Sequence, residues 1–141
     1  MSNSFILDQR LAADSIYISD LKLCQVRLIN DARYPWFILV PRLSNVAEII
    51  DLSQQQQQQL WLESAALSLW LKAEFKPAKL NVAALGNIVS QLHMHHIARF
   101  VEDDAWPAPV WGKFPTTAYT DEAKVKLKRH FLETFSFPAE V

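Results

Sequence analysis

The sequence predicts an α+β fold on three observations. Runs rich in β-branched and apolar residues come in two groups, a long apolar helical stretch stands between the groups, and a second amphipathic helix closes the chain. At 141 residues the chain falls in the usual size range of one domain. Residues 1–141 are therefore read as a single domain, large enough to bury about two thirds of the surface of its unfolded form.

At the N-terminus, Ser4 is placed to cap a short amphipathic turn through Phe5, Ile6, Leu7 and Leu11, with Asp8 in the first turn where the helix dipole favours an acid. Strands are expected at Ser15 to Ser19, Leu23 to Ile29 and Trp36 to Val40. The connections between them are short enough for antiparallel neighbours, which makes a meander the simplest arrangement. Pro35 and Pro41 bracket the third strand, where a missing N–H does least damage. Ser53 and Gln56 form a capping-box pattern ahead of the helical stretch Leu60 to Phe75. Its stripe of Leu60, Ser64, Leu67 and Leu71 should lie on the sheet, with Trp61 and Trp70 widening the buried surface. The run Gln54 to Gln59 reads as a solvated helical face.

Pro77 ends that helix, and Leu80 to Leu85 and Leu92 to Val101 read as two further strands joined by Gly86-Asn87. The segment Trp106 to Gly112, rich in proline and tryptophan, cannot continue a sheet ladder and reads as an ordered loop. Trp106 and Trp111 are expected to pack this loop onto the sheet or a partner, with covering a nucleobase as the alternative. Thr120 caps a last helix that opens with Asp121-Glu122, buries Ala123, Leu127, Phe131 and Phe135, and stops at Pro138.

Several classes are excluded by what the chain lacks. A formal net charge of −1, with no long block of either sign, provides no electrostatic footprint for nucleic acid or a lipid surface, so neither is expected as a partner. The single cysteine, Cys24, reads as a small buried hydrophobe in a reducing compartment; with no apolar leader in Met1 to Leu11, this points to a cytoplasmic protein. The two glycines, Gly86 and Gly112, cannot build a Walker loop or a dinucleotide fingerprint, so any phosphate chemistry must use side chains and ordinary turns.

Chemistry concentrates in Gln91-Leu92-His93-Met94-His95-His96-Ile97. Strand alternation sends Gln91, His93 and His95 to one face, with the histidine Cα atoms roughly 6 to 7 Å apart. Two imidazoles at that spacing suit a small anion or a metal ion. Zinc would need a third and usually a fourth ligand, and the distant Asp31, Cys24 and His130 show no ligand spacing, so no metal site is assigned. Buried, hydrogen-bonded histidines without chemistry are a further reading. The remaining one is attack on phosphorus by a neutral imidazole, with a neighbour holding the phosphate oxygens.

The stretch resembles the signature of the histidine-triad family, His-x-His-x-His followed by two apolar residues. Its middle and last histidines correspond to His93 and His95, and Gln91 stands in place of the first. The resemblance extends through Asn30, the strand Phe37 to Pro41, the Leu80-Asn81 strand and the Gly86-Asn87 turn. It implies a five-stranded antiparallel sheet with a long helix packed on it and a C-terminal helix, and a homodimer formed by continuing the sheet across two subunits. It also implies a hydrolase acting at the α-phosphorus of a nucleotidyl substrate. By the same resemblance His93 is the nucleophile, His95 contacts the phosphate, and Gln91 shares the orienting task of the first histidine. Asn30, with Asp31 as its neighbour, meets the ribose hydroxyls, and Asn87 lies near the phosphate and leaving group. Ile88 occupies a position where the family often has serine or threonine. His96 is expected to be structural, satisfied by a residue such as Tyr119. Arg33, Arg42 and Arg99 flank the site in sequence and read as solvated charges, with contact to the outer phosphates of a longer substrate as the alternative. No resident cofactor is expected, and a divalent cation would enter only with the substrate's phosphates. The alternative function is a nucleotide-binding regulatory module that has lost efficient chemistry.

Overall fold

The apolar runs and short connections produce one antiparallel sheet, in a computed structural model that describes residues 4–137. Strands β1 (Ser15–Asp20), β2 (Cys24–Ile29) and β3 (Trp36–Pro41) form the expected meander. Strands β4 (Lys79–Ala84) and β5 (Met94–Arg99) add to it in the order β1-β2-β3-β5-β4. The later hairpin thus docks by its second strand, and β5 pairs on both sides, Ile38 opposite His95 and Val82 opposite His96.

Both faces of the sheet are covered, which is why β3 and β5 bury all six of their residues. On one face lie helix α2 (Gln54–Phe75) and helix α3 (Asp121–Thr134), packed on Val26, Phe37, Leu39 and Met94 through Leu60, Leu67, Leu71 and Phe131. On the other, Trp36, Ile38, Val40 and Ile97 are covered by Leu11 of the short helix α1 (Gln9–Asp14) and by Ala105 and Val110 of the long loop after β5. Two-sided burial explains the near-continuous apolar runs in the middle strands.

The capping box of α2 forms as the pattern indicates: the Ser53 side chain accepts from Gln56 N–H while the Gln56 side chain accepts from Ser53 N–H. The expected stripe of Leu60, Ser64, Leu67 and Leu71 is buried, and Trp70 with it, whereas Trp61 is 53% exposed and adds nothing to this core. Ser64 holds its place in an apolar stripe because its hydroxyl pairs with His96 Nε2 at 2.7 Å. His96 is indeed structural, but Ser64 is its partner, not Tyr119, whose hydroxyl donates to the Tyr34 carbonyl.

Four further expectations are corrected. The first helix starts after Asp8, not Ser4, because Asp8 is the residue whose side chain accepts from the Arg10 N–H. Strand β5 begins at Met94, so His93 stands immediately before it. Arg99 is no solvated charge: at 2% exposure it donates to Asp103, Asn81 and the Ala108 carbonyl. In α3, Phe131 is fully buried and stacks on Phe37, while Ala123, Leu127 and, at the helix C-cap, Phe135 are only half-buried. The stop assigned to Pro138 lies outside the described residues.

One interaction ties α2 to the meander. Glu63 is fully buried, and its two carboxyl oxygens accept from Leu23 N–H and Cys24 N–H at 2.8 Å each, with Gln59 Nε2 donating at 2.7 Å. Removing the carboxyl strands two buried donors, each costing about 1–3 kcal/mol. Glu63→Ala should therefore lower stability by about 3 kcal/mol, read as a lower urea midpoint at unchanged slope, and Glu63→Gln should recover part of it.

Candidate active site

On the sheet face opposite α2 and α3, the chain leaves a cleft of about 580 Å³, a volume typical of small-molecule sites. Its floor is His93, His95 and Trp36; its rims are the end of α1, Asn30 at the end of β2, the turn Gly86 to Val89, and Trp111. Gly86 enters this turn at φ 77°, a left-handed conformation that side chains disfavour.

The partners of the two imidazoles assign their tautomers. His93 Nδ1 lies 2.7 Å from the Gln91 backbone oxygen. A carbonyl can only accept, so the ring proton sits on Nδ1 and Nε2 keeps its lone pair. For His95 the polarity is reversed. The indole N–H of Trp36 donates to its Nδ1 at 2.9 Å, which leaves the proton on Nε2. The two ring centroids are 4.8 Å apart, and both residues line the cleft. The pair thus combines a nitrogen that can attack with an N–H that can donate.

Burial, with smaller contributions from His93 and His96, pushes His95 down to about 3; burial likewise lowers His96 to about 4 against the opposing effect of the Met94 carbonyl. Both rings are therefore neutral near pH 7. An unfolded histidine titrates near 6.5, so below that pH the unfolded chain binds protons that these two folded-state rings refuse. Their stabilising effect is complete above about 6.5 and is lost progressively as pH falls toward about 4 and then about 3. Between pH 7.5 and 5.5 the urea midpoint should fall by an amount equivalent to about 1 kcal/mol per ring. His96→Asn should remove about half of that drop.

Of the other expected site residues, Asn30 and Asn87 line the cleft. Asn30 Oδ1 accepts from Tyr119 N–H at 2.9 Å, and its side-chain nitrogen has no hydrogen bond among the described residues. Asp31 is not brought into the cleft: 2% exposed, it accepts from Arg33 N–H and Thr117 N–H and so organises the neighbouring loops. Gln91 is likewise not on the histidine face. It lies in the bend before β5 and its side chain bonds to the N-terminal arm, so only its backbone carbonyl serves His93. Ile88 stands on the rim, 82% exposed. Neither Arg33, which pairs with Asp104, nor Arg42, which donates to the Lys22 carbonyl, lines the cleft.

Trp36 is the cleft residue that the sequence does not mark. Trp36 reaches His95 because β3 and β5 pair, which periodicity alone does not specify. Trp111 packs as expected, edge-on to Trp36 at 5.9 Å and to His95 at 5.2 Å, and lines the cleft as well. Trp106 lies beneath the Arg99 guanidinium at 5.7 Å. Among the described residues, no group of three or more His, Cys, Asp or Glu is arranged to hold a metal ion, and no helix is long and apolar enough to cross a membrane.

The HIT domain family model matches residues 10–102. The chain belongs to the histidine-triad family. A HIT protein from Marinobacter aquaeolei is 49% identical with a TM-score of 0.90, covering 94% of this chain and 98% of its own. One from Bradyrhizobium japonicum is 45% identical with a TM-score of 0.91 over the same shares, 94% and 98%. One from Sinorhizobium meliloti is 42% identical with a TM-score of 0.90, covering 92% of this chain and 96% of its own. A search of curated proteins finds no match. The five-stranded antiparallel sheet with its packed helices is the HIT fold, and membership points to nucleotide-binding or nucleotide-hydrolysing chemistry.

Proposed function

We propose that this HIT protein hydrolyses a nucleotidyl substrate, such as a dinucleoside polyphosphate or a nucleoside phosphoramidate, through a nucleotidyl-histidine intermediate. The observation that carries this reading is the pair of opposed tautomers: His93 keeps a lone pair on Nε2 beside a His95 ring with its proton on Nε2. In the first step His93 Nε2 attacks the α-phosphorus, forming an N–P bond as the bond to the leaving group breaks. The His95 Nε2–H donates to a non-bridging oxygen on which charge gathers. Because burial keeps His95 neutral, it acts as a hydrogen-bond donor, not as a cation. Water then attacks the phosphorus and releases a proton to solvent, the N–P bond breaks with its electron pair returning to His93 Nε2, and the free nucleotide leaves.

Asn30 offers its amide to the ribose hydroxyls from the end of β2, and Asn87 offers a polar group to the phosphate or leaving group from the opposite rim. No resident cofactor takes part, and a divalent cation would arrive only with the substrate's phosphates. We also propose a homodimer. The β4 edge has no neighbour beyond it among the described residues, and Trp61, Leu62 and Leu69 of α2 are exposed apolar side chains that a second copy would cover. Light scattering on a sizing column should give twice the mass of one chain.

Mass spectrometry of briefly quenched enzyme should show a nucleotidyl adduct on His93, with turnover reduced by about a thousandfold or more in His93→Ala. Undiminished turnover in that variant removes the mechanism. Thermal stabilisation by adenosine monophosphate without any turnover would instead assign a nucleotide-binding module, the reading favoured by the exposed Ile88 in place of a hydroxyl.

A further inference from the structure

Gln91 makes two sets of contacts whose combination the proposed chemistry does not require. Its backbone carbonyl accepts the His93 Nδ1–H. Its side chain turns onto the N-terminal arm, where Oε1 accepts from Asp8 N–H at 2.8 Å and Nε2 donates to the Ile6 carbonyl at 2.9 Å. Those two groups flank Leu7, so the carboxamide pairs with the arm's main chain much as a residue of a parallel strand would.

A second tie lies beside the first. Asp8 caps α1 through Arg10 N–H, and the Arg10 guanidinium donates both to the Asp8 carboxylate and, at 2.9 Å, to the Ile88 carbonyl. From this point α1 leads directly to Leu11 and Asp14, which form one rim of the cleft. The α1 rim and the His93 ring are therefore both held by one residue. An imidazole at position 91 cannot reproduce this, because its two nitrogens point in diverging directions, whereas a carboxamide presents its acceptor and donor side by side.

We propose that Gln91 is a positioning residue that latches the N-terminal arm to the His93 turn, so that the α1 rim and the nucleophile's ring are oriented together. Its effect on turnover rests on the nucleophile role given to His93; the latch itself does not. A histidine at this position loses the docking of the arm, so Gln91→His lowers turnover.

The test compares Gln91→Ala, Asp8→Pro and Asp8→Ala in the full chain. Asp8 has φ −55°, which proline tolerates, so Asp8→Pro deletes the N–H that Gln91 accepts without forcing the backbone. Asp8→Ala keeps that N–H and loses the cap together with the carboxylate that holds the Arg10 guanidinium. Solution NMR reads hydrogen exchange of the Ala12 amide in α1 and of the His93 ring N–H. In Gln91→Ala and Asp8→Pro both should exchange about tenfold faster, as expected for one lost hydrogen bond. In Asp8→Ala only the Ala12 amide should change. The Gln91→Ala/Asp8→Pro double variant should exchange the ring proton no faster than Gln91→Ala alone, which already removes both contacts to the arm. On a nucleoside phosphoramidate, kcat should fall about tenfold in both single variants that break the latch. An unchanged His93 ring proton in Asp8→Pro, or additive effects in the double variant, overturns the proposal. A wild-type protein without turnover would sink the hydrolase reading, while the two exchange measurements would still decide the latch.

Discussion

Strand β5 is buried on both faces and paired on both edges, and it carries polar side chains in that position. A buried polar group without a partner costs about 1–3 kcal/mol, so each such residue on β5 dictates what stands opposite. His96 requires the hydroxyl of Ser64 on α2. His95 is met by the Trp36 indole on β3. Arg99, at the end of the strand, gathers Asp103, Asn81 and the Ala108 carbonyl. These three demands pin α2, β3 and the long loop to the same strand, and the loop then carries Trp111 onto His95.

The same requirement sets the tautomers of the two cleft imidazoles. Trp36 satisfies a buried nitrogen of His95 and thereby leaves its proton on Nε2; the Gln91 carbonyl does the converse for His93. Opposite tautomers on neighbouring rings are thus a by-product of satisfying buried polar atoms with one donor and one acceptor. Burial also keeps His95 uncharged, which spares the neighbouring His93 ring a cation at its side.

Much of this was legible in the sequence, and the parts that were not share a cause. The meander, the capped helices and the histidine pair follow from local period and cap chemistry, which act within a few residues. Arg99 resisted because its partners come from β4 and from the loop after β5, and a lone arginine in a sequence looks like a solvated one. Asp31 resisted because Arg33 and Thr117 both donate to its Oδ1 through backbone N–H groups that have no sequence signature. The alternation rule was extended to Gln91, but the strand begins three residues later, and outside a strand the rule has no force. Trp61 has the apolar bulk of a core residue, but it lies one step beyond the stripe that meets the sheet.

Of the five tryptophans in the chain, Trp36 and Trp111 border the cleft, and both rings lie within 6 Å of an imidazole. Trp61 sits in solvent and Trp70 in the helix-side core. An indole's emission responds to nearby polarity and charge, so a phosphate entering beside His95 changes the surroundings of these two while leaving Trp61 and Trp70 as they were. The fold consequently contains an intrinsic optical reporter of cleft occupancy, located beside the two imidazoles and usable without any label.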